Sequence, residues 1–538
     1  MKHIILFLLL LFNIYSCTLL AQAQTPSMKK QATTLFYQGD MQAAIPLFQQ
    51  LYTAKHSHYY YQYLVQAYVM TKQYASAQKL IKQHYKDKNY RALFDMAYVA
   101  KAKGQNKQAN KKYMEALKQM PRNKSAYLSV VNSMRRRGLF DWVEHTYLYA
   151  QKHLPHESFH LELAYLYQTL GKYRLMTDEL LLLLEVKPEQ EKTIHHRFQY
   201  LWRKQSSDSL LTYARTACLK KLQSAPDKIQ FRTFLLWMSI QQQDFEMAEM
   251  QARALDKFAR TEQKEPYLLE LSRVLLNQQR YGQAARILKE IVHSKNVNKD
   301  AYYFEAQRGY LHAAFQHLKQ AKAPINSDIA AVKASYDNFL HSLGWAYCHK
   351  QTVIDYADLL AHYTRRADSA VLFLQNSLSH LRLQPQDMGV VKLYLGDIYQ
   401  EVEQPWEATL LYSQIEKDFP HDNLGFEARY RNALLSFYLG EVAWAEAQLD
   451  VLKAATDKKI ANDAMKWALF ITEAKAADTT QQLLRVYGRA LQAQSQSKDT
   501  LAVSVLDTLL NTTDNAQLQA FFSLQKAQIW LAQQHIAP

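Results

Sequence analysis

Residues 395–420 read LGDIYQEVEQPWEATLLYSQIEKDFP, and the spacing inside this stretch decides the fold. Leu395, Gly396 and Tyr399 fall on one helical face, a small residue between large ones. Nine residues beyond Tyr399 stands Ala408, followed by Tyr412, Ile415 and Pro420. The pattern predicts a helix, a tight turn, a second helix and a proline stop. The glycine and the alanine let the two helices approach closely, and the large residues fill the space between neighbouring hairpins. One such hairpin cannot bury its apolar face alone, so it has to stack on others.

The same unit recurs along the chain. Pro121, Pro155 and Pro188 are separated by 34 and 33 residues, and Gly104, Gly138 and Gly171 each stand 17 residues before one of them. The second-helix position is held by Ala44, Ala77, Ala109, Val143 and Met176, in steps of 33, 32, 34 and 33. Ala214, Ala248 and Ala284 continue the series, and Ala408 and Ala445 resume it after a gap. A hairpin of this length with these offsets resembles the tetratricopeptide repeat (TPR) family. The resemblance implies an all-α fold: a right-handed superhelical solenoid of TPR hairpins, with an irregular helical break and a C-terminal helical cap.

The expected organisation is a signal peptide over 1–23, an N-terminal TPR array over 24–295, an irregular helical connector over 296–388, TPR repeats over 389–475 and a helical cap over 476–538. Within the connector, Ala323-Pro324-Ile325-Asn326 marks a turn, and two long helices are expected near Asp328–Lys350 and Thr352–Leu381. Composition agrees with this picture. Glycine and proline, at 12 each in 538 residues, are too few for a turn-rich sheet protein. With 48% hydrophobic and 21% charged residues the chain is one that folds. The net charge of +16 favours acidic partners.

The N-terminus selects among those partners. Lys2 and His3 precede an apolar run from Ile4 to Leu20, and Ala21-Gln22-Ala23 is a small-x-small cleavage site. Export is therefore expected, to the periplasm or the periplasm-facing periphery of the outer membrane, and nucleic acid is not expected as a partner. A second reading takes Ile14–Cys17 as a loose lipobox with Cys17 as a lipidated N-terminus. Tyr15 fits that motif poorly, and the residues after Cys17 stay apolar, which favours cleavage after Ala23. The segment Trp406–Ala464 resembles a stretch found in exported TPR proteins of Bacteroidota-type bacteria. Its part from Asp418 to Tyr430 also resembles the TPRs of envelope lipoproteins that help outer-membrane protein assembly or coordinate division.

No HExxH, GxSxG, P-loop or GxGxxG pattern occurs, and Cys218 and Cys348 have neither a metal-ligand nor a CxxC spacing, so no cofactor or metal is expected. Whether the two cysteines pair is open at this level. The histidines at 56, 58, 195 and 196 read as exposed helix-end residues. Cys348-His349 reads as a buried cysteine beside a helical neighbour, and His341, Asp355 and Asp358 as helix-surface residues. Tyr59-Tyr60-Tyr61-Gln62-Tyr63 covers every face of a helix start, so some of its rings pack and some stay wet. Leu180–Glu185 is too short to span a membrane and reads as core.

In TPR proteins the ligand groove is lined by the first helix of each hairpin. Carried over position by position, the resemblance implies a groove of Gln62, Gln66, Phe94, Tyr98, Lys101, Asn132, Arg135, Arg136, Tyr165 and Gln168. The run Arg135-Arg136-Arg137 also ends a helix, where cations complement the helix dipole. Bases and aromatics on one face suit an acidic or aromatic-bearing extended peptide. The expected function is a non-catalytic protein-interaction scaffold of the cell envelope, with other envelope proteins as partners. An accessory subunit of an outer-membrane assembly or secretion complex, membrane-associated through that complex, is the alternative. An enzyme with an unrecognised site in the connector is the least favoured.

Overall fold

Each hairpin turn needs one residue in the left-handed region, and that need explains where the glycines stand. In the computed structural model, Gly39, Gly104, Gly138, Gly171 and Gly440 have φ between 69° and 90°. At Gly104 the backbone N–H bonds the Lys101 carbonyl and the next N–H, of Gln105, bonds the Ala100 carbonyl, both at 3.0 Å. This pair closes the end of the first helix and reverses the chain into the second. The opposite ends of the hairpins use side chains instead. Ser57, Asn89, Asn123 and Asp422 each accept a backbone N–H in the first turn of the helix that follows.

The structure describes residues 27–85, 89–205, 208–258, 266–293, 301–321, 323–453 and 458–536. The signal segment and Cys17 lie outside them. Among the described residues the regular elements are all helical. The chain divides into two compact units, Met1–Met238 and Ser239–Pro538.

The first unit runs through α1 (27–38), α2 (Met41–Lys55), α3 (His58–Met70), α4 (Tyr74–His84), α5 (Tyr90–Ala102), α6 (Asn106–Gln119), α7 (Lys124–Arg136), α8 (Phe140–His153), α9 (His160–Thr169), α10 (Tyr173–Val186), α11 (Glu191–Gln205) and α12 (Asp208–Ser224). Helix α13 (Ile229–Gln241) crosses the boundary. The predicted second-helix positions are all interior: Ala44, Ala77, Val143, Met176 and Ala214 are fully buried. Leu180, Leu181, Leu183 and Leu184 are core, as their pattern predicts.

The second unit continues with α14 (Phe245–Phe258), α15 (Pro266–Asn277), α16 (Tyr281–His293), α17 (Ala301–Gln320), α18 (Asn326–Leu343), α19 (Lys350–Asp358) and α20 (Ala367–His380). It ends with α21 (Pro385–Glu401), α22 (Pro405–Asp418), α23 (Asn423–Tyr438), α24 (Val442–Leu452), α25 (Lys458–Ala477), α26 (Gln482–Ser495), α27 (Asp499–Thr512) and α28 (Ala516–Ile536). Gly396 packs against the fully buried Tyr412 so tightly that a Cβ there would meet the ring at 2.5 Å. The close approach read from the glycine is therefore a real constraint.

The connector departs from expectation. The first of its two long helices stops at Leu343, because Gly344 turns the backbone with φ 74°. The second is interrupted: a π turn over Leu359–Tyr363 and a link with Arg365 at φ 55° separate α19 from α20. Cys218 and Cys348 are free, buried thiols. Among the described residues, no helix is long and apolar enough to cross a membrane.

Candidate functional site

The first helices of three hairpins, α3, α5 and α7, bring a set of charged and aromatic groups together in the first unit. At its floor lies an ion pair that is almost wholly enclosed. Arg137 Nη1 meets Asp95 Oδ1 at 2.6 Å, with side-chain exposures of 5% and 8%. The Tyr61 hydroxyl donates to the other carboxylate oxygen at 2.6 Å. Burial works against the Arg137 charge, but the charge and hydrogen bond of Asp95 outweigh it and hold its pKa above the ordinary value. Arg137 also lies 4.7 Å from the centre of the Tyr98 ring. Its Nη2 is buried and has no hydrogen-bond partner among the described residues.

Above this floor is a narrow cleft of about 30 Å³, lined by His58, Gln62, Arg91, Phe94, Ser133 and Trp142 among others. That volume admits a group about the size of one or two waters. Beside it, and sharing Gln62, is a wider cleft of about 290 Å³, lined by Phe36, Tyr37, Tyr59, Tyr63, Gln66 and Arg136. Its wall is fixed by packing: Tyr63 stacks on Phe48 at 5.0 Å, and the Tyr37 and Tyr63 hydroxyls are 2.8 Å apart. Arg136 Nη2 donates to Gln62 Oε1 at 2.5 Å across the junction of the two clefts. Asp95 is committed to Arg137 and Tyr61, so Arg91 and Arg136 leave the surface positive.

The histidine beside the cleft is not the exposed helix-end residue its position suggested. His58 is partly buried, stacks on Tyr61 and lies 3.2 Å from His84. Burial pushes its pKa below the ordinary value, with Asp95 opposing and Arg91, Arg137 and Arg136 adding to the fall. Near pH 7 it is a neutral ring that shapes the wall. His195 also departs from that expectation, since it stacks on Trp237 at 4.2 Å.

The structure places the groove residues unevenly. Gln62, Phe94, Gln66 and Arg136 line the two clefts. Tyr98 is buried beneath Arg137, and Lys101 lies 4.7 Å from the Trp142 ring centre. Asn132 and Arg135 are exposed and line neither cleft. Tyr165 and Gln168 sit together elsewhere, held by Arg197, which stacks 3.7 Å from the Tyr165 ring and donates to Gln168. Asp95, Arg137 and Tyr61 were missed as a group. The signal was present, because Asp95 is a lone carboxylate in the otherwise uncharged stretch Phe94–Ala100 and such a group, once buried, requires a partner.

Two expectations for the connector are also corrected. Asp355 is only 2% exposed and bonds His312 at 2.6 Å, so it is not a helix-surface residue. Cys348 and His349 lie in the link between a short turn and α19, not within a helix. Among the described residues no group of histidine, cysteine and carboxylate side chains has a metal-binding arrangement.

No protein-family model and no curated protein matches this sequence. Solved structures that resemble it include the APC/C hetero-tetramer Cut9–Hcn1, at 13% identity over 83% of this chain and 96% of that one, with a TM-score of 0.25. Naa15/Naa10 bound to HypK-THB matches at 12% identity over 95% of this chain and 79% of that one, with a TM-score of 0.25. The human IFIT1 dimer with PPP-AAAA matches at 10% identity over 82% of this chain and 95% of that one, with a TM-score of 0.30. At these scores the fold rests on the TPR-like hairpins themselves.

Proposed function

We propose that this chain is a non-catalytic protein-interaction scaffold of the cell envelope. Its first-unit clefts hold an extended segment of an acidic partner protein, a carboxylate in the narrow cleft and an aromatic or apolar side chain in the wide one. One observation carries this reading: Arg137, whose buried Nη2 has no partner among the described residues, lines a cleft in which two cations, Arg91 and Arg137, face one committed carboxylate, Asp95. A carboxylate is the planar acceptor that suits a guanidinium edge. The envelope location rests on the sequence of residues 1–23, and the partners are accordingly other exported proteins.

The test is equilibrium binding of a fluorescent acidic peptide carrying one aromatic residue, with a lysine-substituted peptide as control. The acidic peptide should bind at least about tenfold tighter at 50 mM than at 500 mM salt, because exposed charges are screened over the Debye length. An Arg91→Gln/Arg136→Gln protein should lose most of that salt dependence. Equal affinity for the two peptides, or an affinity insensitive to salt, would contradict the reading.

A further inference from the structure

The second unit contains a cavity of about 240 Å³ between α15, α16, α17 and the start of α19. Its apolar wall is formed by Leu269, Leu276 and Leu288. The polar wall contains Arg308, which has no hydrogen bond or ion pair with any described residue. The carboxylate one helical turn away is taken: Glu305 holds Arg273 through two hydrogen bonds of 2.6 and 2.7 Å. Asp355 is taken by His312 at 2.6 Å and by Gln351 at 2.9 Å. Cys348 supplies no anion, because burial pushes its thiol up to about 12. Burial drives the pKa of Arg308 down, whereas Arg253, Arg273, Arg286 and Arg431 are driven up by bonded carboxylates.

A second, independent observation sits on the same wall. Thr352 is only 6% exposed, lines the cavity, and its hydroxyl makes no hydrogen bond with a described residue. It belongs to the first turn of α19, whose N-cap, His349, gives no side-chain bond to the free backbone N–H groups. His349 itself is pushed below its ordinary pKa by burial and then by Arg308, with Asp387 opposing, so it is neutral near pH 7. Lys350 is paired with Asp387 at 2.5 Å. A guanidinium without an ion pair, the hydroxyl of a nearly buried threonine with no described partner, and the positive end of a helix therefore line one half-open pocket.

We propose that this cavity is a binding site for a small molecule with a compact oxyanion, a phosphate monoester or a carboxylate, on an apolar body. Arg308, Thr352 and the first turn of α19 hold the oxyanion, and the three leucines hold the body. The arrangement is separate from the first-unit clefts and does not depend on what they bind.

Calorimetric titration of the full chain with butyl phosphate and with hexanoate tests it. At least one probe should bind saturably, and the tighter of the two identifies the oxyanion. Arg308→Gln should weaken that binding at least about tenfold, since it removes the charge-assisted hydrogen bonds. It should leave the melting temperature unchanged or raised, because the arginine it replaces has no partner to lose. Thr352→Val should weaken binding severalfold, and Arg137→Gln in the first unit should leave it unchanged. Failure of both probes to saturate at millimolar concentration would overturn the proposal, as would wild-type affinity in both the Arg308 and the Thr352 variants.

Discussion

Among single residues, the ones that matter most are charges buried with or without a partner. Arg137 and Asp95 pair through Nη1 and Oδ1 in a nearly solvent-free setting, so removing one strands the other. Arg137→Ala should therefore cost about 3–5 kcal/mol of stability in thermal or denaturant unfolding. An Arg137→Met/Asp95→Leu protein should recover most of that loss while losing the acidic-peptide site, and a single substitution costing under about 1 kcal/mol would show that the pair is not closed. His195 offers the opposite case, a base whose charged form is disfavoured. Burial, with His196 adding to it, lowers its pKa to about 4, and Glu191 at 3.5 Å makes no hydrogen bond to its Nε2, which has no partner among the described residues. The unfolded chain, near 6.5, takes the proton first, so stability falls as pH drops from about 6.5 towards 4. His195→Phe keeps the stack on Trp237 and should remove about 2–3 kcal/mol of that acid loss, read as the difference in unfolding free energy between pH 7 and pH 4.5. These residues were the least legible in sequence. Arg137 stood in a run of three arginines, and nothing local distinguishes the one that turns inward from the two exposed ones.

At the scale of the element, the hairpin turn is the unit that sequence reports best. The glycines between two helices at 39, 104, 138, 171 and 440 take the left-handed backbone, and Ala44 and Ala109 follow two of them at the buried position expected. The same turn also occurs without glycine. Lys72 takes φ 61° and Glu403 φ 62°, and the bonds from Lys72 to Val69 and from Gln73 to Tyr68 repeat those around Gly104. Two predictions follow from backbone energetics alone. Gly104→Ala meets no atom within 4 Å, so its cost should be the left-handed penalty of about 1–2 kcal/mol. Lys72→Gly should stabilise by about 0.5–1 kcal/mol, the relieved strain less the added chain entropy. The opposite sign at either position, measured by urea unfolding, would refute this account of the turn. The break between α19 and α20 escaped the sequence for the same reason, since Arg365 holds a left-handed conformation that its type does not announce.

At the scale of the whole molecule, the repeats were legible because one physical requirement, a hairpin that needs neighbours, is written many times over. Of the ten groove positions, four, Gln62, Gln66, Phe94 and Arg136, line the candidate clefts, whereas Tyr165 and Gln168 make a separate contact with Arg197. Groove positions are defined one hairpin at a time, but a cleft forms where several hairpins present compatible groups, and pairings such as Asp95 with Arg137 span 42 residues. The cavity beside α19 was not legible, because it depends on which carboxylates are already taken. On the proposed function, the first-unit clefts are where a partner protein docks. Site-specific photocrosslinking in the native cell tests it most directly, with the crosslinker placed at Gln66 in the wide cleft and, as control, at the exposed Lys111. The account predicts a defined adduct from position 66, mapped by mass spectrometry to an acidic, extended segment of an exported protein, and none from position 111. Adducts from position 111 alone, or from neither position, would contradict it.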